Sequence, residues 1–161
     1  MKKLFALTLI LALSFSLAAC GGSKLQEGEA LYQGQASFDQ VQQFELSFIL
    51  TADGSEVRAV KARIVGAELS TQINDGGYSG RHKMNAGTIS MSHGGKFPVQ
   101  NGAVSIDLGE SGSISLALAD GAAAGTIHYV YVARNAYQVN GSSRNILYDL
   151  GSSDIELRAQ A

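Results

Sequence analysis

The chain has almost none of the residues that staple or break a small fold. Among 161 residues there is one cysteine, Cys20, one proline, Pro98, and no tryptophan. A single cysteine excludes a disulfide framework and a four-cysteine metal cage. Neither sign of charge dominates: twelve Lys/Arg against fourteen Asp/Glu leave −2, and charged residues make up only 16%. With no cationic excess to hold a phosphate backbone, nucleic acid is not an expected partner. Beyond the first twenty residues no apolar run approaches the roughly 20 residues that a spanning helix needs. Helical stripes are missing as well. Present in their place are 19 glycines and 45% apolar residues, a composition that buries a core and turns often.

The N-terminus reads as an address. Met1-Lys2-Lys3 is followed by an almost wholly apolar stretch from Leu4 to Leu17, interrupted by Thr8, Ser14 and Ser16. A basic start, a short apolar run and small residues after it describe a secretory signal. Leu17-Ala18-Ala19-Cys20 resembles the lipobox of bacterial lipoproteins, in which the cysteine becomes the lipidated first residue of the mature chain. The resemblance implies a signal peptide over 1–19, palmitate or similar acyl chains on Cys20, and an extracytoplasmic protein held at the cell membrane or the outer membrane. Each buried methylene contributes about 0.8 kcal/mol, so two or three acyl chains anchor firmly where one does not. Gly21 stands where such lipoproteins carry an Asp when retained at an inner membrane, which favours an outer membrane or the outer face of a single one. Removing Lys2 and Lys3 with the leader leaves ten basic and fourteen acidic side chains, so lipid rather than a polybasic patch does the holding.

Residues 20–28 have linker composition, and a single domain is expected over 29–161. Alternation of period two dominates it. Phe44, Leu46, Phe48 and Leu50 share a face, and Asp53-Gly54 turns the chain. Val57 and Ala59 keep one phase while Val60, Ala62 and Ile64 take the other, which predicts a bulge near Ala59. Val104-Ile106-Leu108 and Ile114-Leu116-Leu118 flank Gly109–Gly112 as a hairpin, and Asp120-Gly121 is the next turn. Ile127–Val132 reads as a central strand. Ile146-Tyr148-Leu150 and Ile155-Leu157 read as two strands separated by a turn at Gly151-Ser152-Ser153, and Ala122-Ala123-Ala124 as a short loop. Turn signals every eight to fifteen residues predict an all-β antiparallel sandwich, with a barrel as the alternative closure. The stretch from Gly112-Ser113-Ile114 to Gly125-Thr126-Ile127 loosely resembles immunoglobulin-like or jelly-roll modules, a likeness that implies no activity.

Three constellations carry candidate chemistry. If Gly87-Thr88 forms a two-residue turn, Met84 faces Met91 and His82 faces His93 across a hairpin. Thioethers and imidazoles so arranged suit copper, the one cofactor this sequence nominates. Arg81, Lys83 and Lys96 lie in a stretch, Gly76–Ser105, without a single acid, and would present a basic face to a protein partner or an anionic envelope polymer. Tyr129 and Tyr131, with Ile127, would form an outward aromatic stripe for ligand contact if Val130 and Val132 face the core. Catalytic patterns are absent: Ser79 in Gly77-Tyr78-Ser79-Gly80-Arg81 lacks the second glycine of a nucleophile elbow, and no calcium or phosphate loop occurs. The sequence therefore favours a non-enzymatic lipoprotein that binds a partner, with copper handling and then a small hydrolase as alternatives.

Overall fold

The computed structural model describes residues 24–161; the expected signal peptide over 1–19 and the expected lipidation site, Cys20, lie outside them. The domain is all-β and antiparallel, and of the two closures open to the sequence it adopts the closed barrel. Eight strands follow in order: β1 (Ala30–Ala36), β2 (Val41–Leu50), β3 (Glu56–Asp75), β4 (Tyr78–Gln100), β5 (Ala103–Asp107), β6 (Gly112–Ala119), β7 (Ala122–Val139) and β8 (Ser142–Ala159). Each pairs with the next, and β1 pairs with β8 to close the ring, Gln33 opposite Arg158 and Ala36 opposite Ile155.

Alternation supplies the inside. Phe44, Leu46, Phe48, Val57, Ile64, Ile106, Ile114, Ile127, Tyr129 and Leu157 are buried in one contiguous core. A fully buried Leu or Phe contributes about 1.5–3 kcal/mol relative to exposure, so these rings and branches carry the domain. Tyr32 stacks on Phe48 at 5.1 Å, and Phe44 takes Phe38 and Tyr129 edge-on at 5.0 and 4.8 Å. Outward positions are polar: Ser113 and Ser115 on β6, Asp154, Glu156 and Arg158 on β8. That is the reverse of the apolar-out band of a barrel that crosses a bilayer.

Sharp coiling requires glycine where strands crowd. A Cβ on Gly125 would lie 1.9 Å from the Ser115 carbonyl oxygen, and one on Gly34 would lie 2.0 Å from that of Glu156. The bulge expected at Ala59 is present: Ala59 has φ 52° and the β3–β4 register shifts between Arg58 and Val60.

Four expectations are corrected. Gly87-Thr88 is not a turn, because β4 runs unbroken from Tyr78 to Gln100 and pairs with β3 throughout, Val65 opposite Thr88 and Ala67 opposite Ala86. The change of phase seen there is real but belongs to a bend. On β3 the buried set passes from Val60, Ala62 and Ile64 to Ala67 and Leu69 across Gly66, whose φ is +61° and which stands opposite Gly87. Gly151-Ser152-Ser153 is likewise no turn but a bulge within β8, where the register shifts between Tyr129 and Val130. Ala122-Ala123-Ala124 opens β7 rather than forming a loop. The outward Tyr129/Tyr131 stripe fails because that face of β7 is the inner one: Ile127 and Tyr129 are buried in the core, and Tyr131 packs against it.

Strand length is uneven, and this shapes the surface. β5 has 5 residues and β6 has 8, while β3 and β4 have 20 and 23, and β7 and β8 have 18 each. Two long hairpins therefore continue past the short strands. They turn at Gly76-Gly77 and at Asn140-Gly141, all four residues at positive φ as tight hairpin turns require.

Candidate functional site

The four copper candidates do not converge. His82 and His93 sit on one strand eleven positions apart, roughly 35 Å at about 3.3 Å per residue. Metal ligands must lie within a few ångströms of each other. The correction follows from the missing turn, since only a hairpin at Gly87-Thr88 would have opposed them. No group of three or more His, Cys, Asp or Glu positioned for a metal occurs among the described residues. His82 instead contacts the Tyr78 hydroxyl through Nε2, and His93 Nε2 lies 3.1 Å from the Tyr129 hydroxyl.

The ligand-binding candidates separate in the same way. Tyr129 is buried in the barrel, and burial pushes its phenol up out of the ordinary tyrosine range. Tyr131 is half-buried and stacks on Tyr148 at 6.2 Å. Lys96 pairs with Glu56 at 3.6 Å in an exposed contact. Arg81 and Lys83 remain exposed on the outer face of β4 and make no ion pair among the described residues.

Two clusters that spacing alone does not reveal are assembled by the long hairpins. At their tips Tyr78 stacks on Tyr137 with ring centroids 4.9 Å apart. Asp75 Oδ2 accepts from the Tyr137 hydroxyl at 3.1 Å and from Arg144 Nε at 3.3 Å. Desolvation, followed by the Asp75 carboxylate, raises the Tyr137 phenol. This clasp joins the two hairpins at the point farthest from the short strands.

The second cluster is created by the β8 bulge. His128 lies directly opposite Ser152, and its Nδ1 is 3.1 Å from the Ser152 hydroxyl. Its Nε2 is 3.4 Å from Asp149 Oδ1, which also accepts the Gly151 backbone N–H at 2.8 Å. Serine, histidine and aspartate thus stand in line, the order that activates a hydroxyl in hydrolases. The setting is open: the His128 side chain is 42% exposed and that of Asp149 is 62% exposed. Water therefore screens the pair. Gly151, at φ +89°, is the residue in the sequence that foretells the bulge, but nothing before it names His128 as the partner.

Among the eight strands, β4 alone has no buried residue. Its second edge meets β5 only at Val99 opposite Val104 and Gln100 opposite Ala103. From Tyr78 to Pro98 it pairs on one side, with β3. β7 likewise pairs only with β8 after Tyr129. Below the short strands, the wall is open between these two edges.

No known protein family, curated protein or solved structure matches the chain.

Proposed function

We propose that the chain is a lipid-anchored extracytoplasmic binding module, tethered through Cys20 and recognising a protein or envelope ligand on its outer surface without catalysis. The observation that carries this reading is the filled interior. An eight-stranded barrel is just wide enough to be packed by its own side chains, and here Phe44, Phe48, Tyr129 and the branched aliphatics occupy that space. Recognition is then left to the exterior, where two pinned hairpins and an open strand edge are presented. The polar outer face suits a barrel held beside a membrane by lipid. Glu29 supports the tether at the domain's entry: its carboxylate accepts from Arg58 Nε at 2.9 Å and fastens the chain to β3. In cells fed labelled palmitate, the wild-type protein should incorporate label and fractionate with membranes, whereas Cys20→Ser should do neither. Crosslinking in the native envelope should then trap a partner. Unlabelled wild-type protein overturns the tether, and an empty crosslink overturns the binding role.

Ser152, His128 and Asp149 favour a second reading, a serine hydrolase. Ser152 Oγ would attack an ester carbonyl while His128 Nδ1 takes its proton and returns it to the departing alkoxide, leaving an acyl-serine for water to cleave. Labelling by a fluorophosphonate probe that vanishes in Ser152→Ala would support it; an unlabelled wild-type protein removes it.

A further inference from the structure

Of the two unpaired edges, that of β4 is the longer and the more regular, since β7 shifts register between Ala133 and Tyr137. From Tyr78 to His93 its pairing with β3 runs without a shift, and no proline or bulge interrupts it. The backbone devices that blunt an edge, Gly94-Gly95 with Gly95 at φ +115° and then Pro98, lie beyond His93, and within the segment only charge, Arg81 and Lys83, does so. An antiparallel strand directs alternate backbone N–H and C=O groups to either side, so about half of these groups point away from β3. No bond to them from a turn, a loop or a side chain occurs among the described residues.

The side chains along this segment complete the picture. Met84, Ala86 and Ile89 are packed against the core, and these three and Met91 are each only partly covered. An added strand would cover them with alternate apolar side chains while its own backbone satisfies the edge. On the outer side Arg81 and Lys83 make no ion pair among the described residues, and no acid occurs from Gly76 to Ser105. A second copy of β4 would bring like charges together, which disfavours edge-to-edge pairing between copies. An acidic strand is attracted instead.

We infer that the free edge of β4 from Gly80 to His93 binds an extended, acidic segment of a partner protein as an added β-strand. The inference rests on the binding role proposed above and names the partner class for it. Main-chain bonds along the edge supply affinity, the inner apolar positions set register, and Arg81 and Lys83 select for acid on the alternate residues.

The test uses the full-length protein purified in detergent, as bait for a library of random peptides about 14 residues long, enough to span the edge. Enriched peptides should alternate apolar residues with Asp or Glu. Their binding should slow amide exchange over Gly80–His93 and leave the hairpin tips unchanged. Reversing charge in Arg81→Glu/Lys83→Glu, two exposed positions, should weaken them about tenfold or more and should reduce the salt dependence. Peptides without acidic bias, affinity unchanged by the charge reversal, or no enrichment would each overturn the inference. So would an anionic polysaccharide that binds through Arg81 and Lys83 without protecting β4 amides. Protection at Asp75–Tyr78 or Val139–Ser142 in place of β4 sinks the edge but leaves the binding role standing, whereas an envelope crosslink that traps nothing sinks the role itself.

Discussion

His93 reaches across the open side of the barrel to Tyr129, with its Nε2 3.1 Å from the phenol oxygen and the two rings edge-on at 5.9 Å. The contact joins β4, whose second edge is unpaired here, to the last residue of β7 that still pairs with β6. It is therefore a side-chain bridge where the backbone ladder is missing. Tyr129→Phe keeps the edge contact with Phe44 and deletes only the hydroxyl. It should lower unfolding free energy in urea by about 1 kcal/mol. An unchanged midpoint would show that the bridge contributes nothing.

The same histidine sets a pH dependence. Burial holds the His93 ring below its usual value, so the folded state resists protonation that the unfolded chain accepts. As pH falls below about 6.5, the unfolded state gains the proton first and stability drops until the lower folded value is passed. Denaturant midpoints between about pH 7 and 5 should decline in the wild type and decline less in His93→Gln. Equal slopes would assign the effect elsewhere.

Asp53 behaves in the opposite sense. The Ser55 N–H and hydroxyl and the Thr51 hydroxyl all donate to Oδ1, at 3.0, 2.7 and 2.8 Å, and hold the carboxyl down at about 2. A lowered folded value means stability that is present above the unfolded value near 3.8 and lost as pH falls toward 2. Asp53→Asn should therefore be less stable than wild type at neutral pH, with the gap closing by about pH 2. A gap that persists in acid would mean that packing of the turn, not its charge, is at stake.

Gly125 admits no side chain. Its missing Cβ would sit 1.9 Å from the Ser115 carbonyl oxygen, so Gly125→Ala must push β6 from β7. A loss on the order of 3 kcal/mol or more is expected, read as a large fall in melting temperature or as failure to fold. Gly54→Ala is the comparison. No atom stands within 4 Å of its Cβ position, and its φ of +70° leaves only backbone strain, costing about 1 kcal/mol.

Tyr137→Ala should free the hairpin tips without unfolding the barrel. It removes the stack on Tyr78 and the donor to Asp75, leaving Arg144 alone on that carboxylate. Amide exchange at Asp75–Tyr78 and Val139–Ser142 should accelerate while that of β2 stays unchanged. Uniform acceleration would make the clasp part of global stability.

Much of the architecture was legible because one face of each strand is buried and period-two spacing records it. Phe44-Leu46-Phe48, the Ala59 bulge and the hairpin around Gly109–Gly112 follow from the residues alone. The errors share a cause. A barrel strand that bends changes its buried face without ending, and glycine marks both bends and turns. From spacing alone Gly87 and Gly151 therefore look like chain reversals, although each lies inside a long strand. The copper set depended on the first of these reversals. The His128–Asp149–Ser152 group and the open β4 edge were illegible for a different reason: register across strands and unequal strand lengths are properties of pairing, not of any local pattern.

The β1–β8 seam has a consequence for biogenesis. Every other pairing joins consecutive strands, so hairpins can zip up in order as the polypeptide emerges. The ring itself waits for the second half of β8, since Ile155–Ala159 must find Tyr32–Ala36 of β1. A molecule whose synthesis has paused before Ile155 would be an open ribbon with both seam edges unpaired, exposed to proteases until the ring closes.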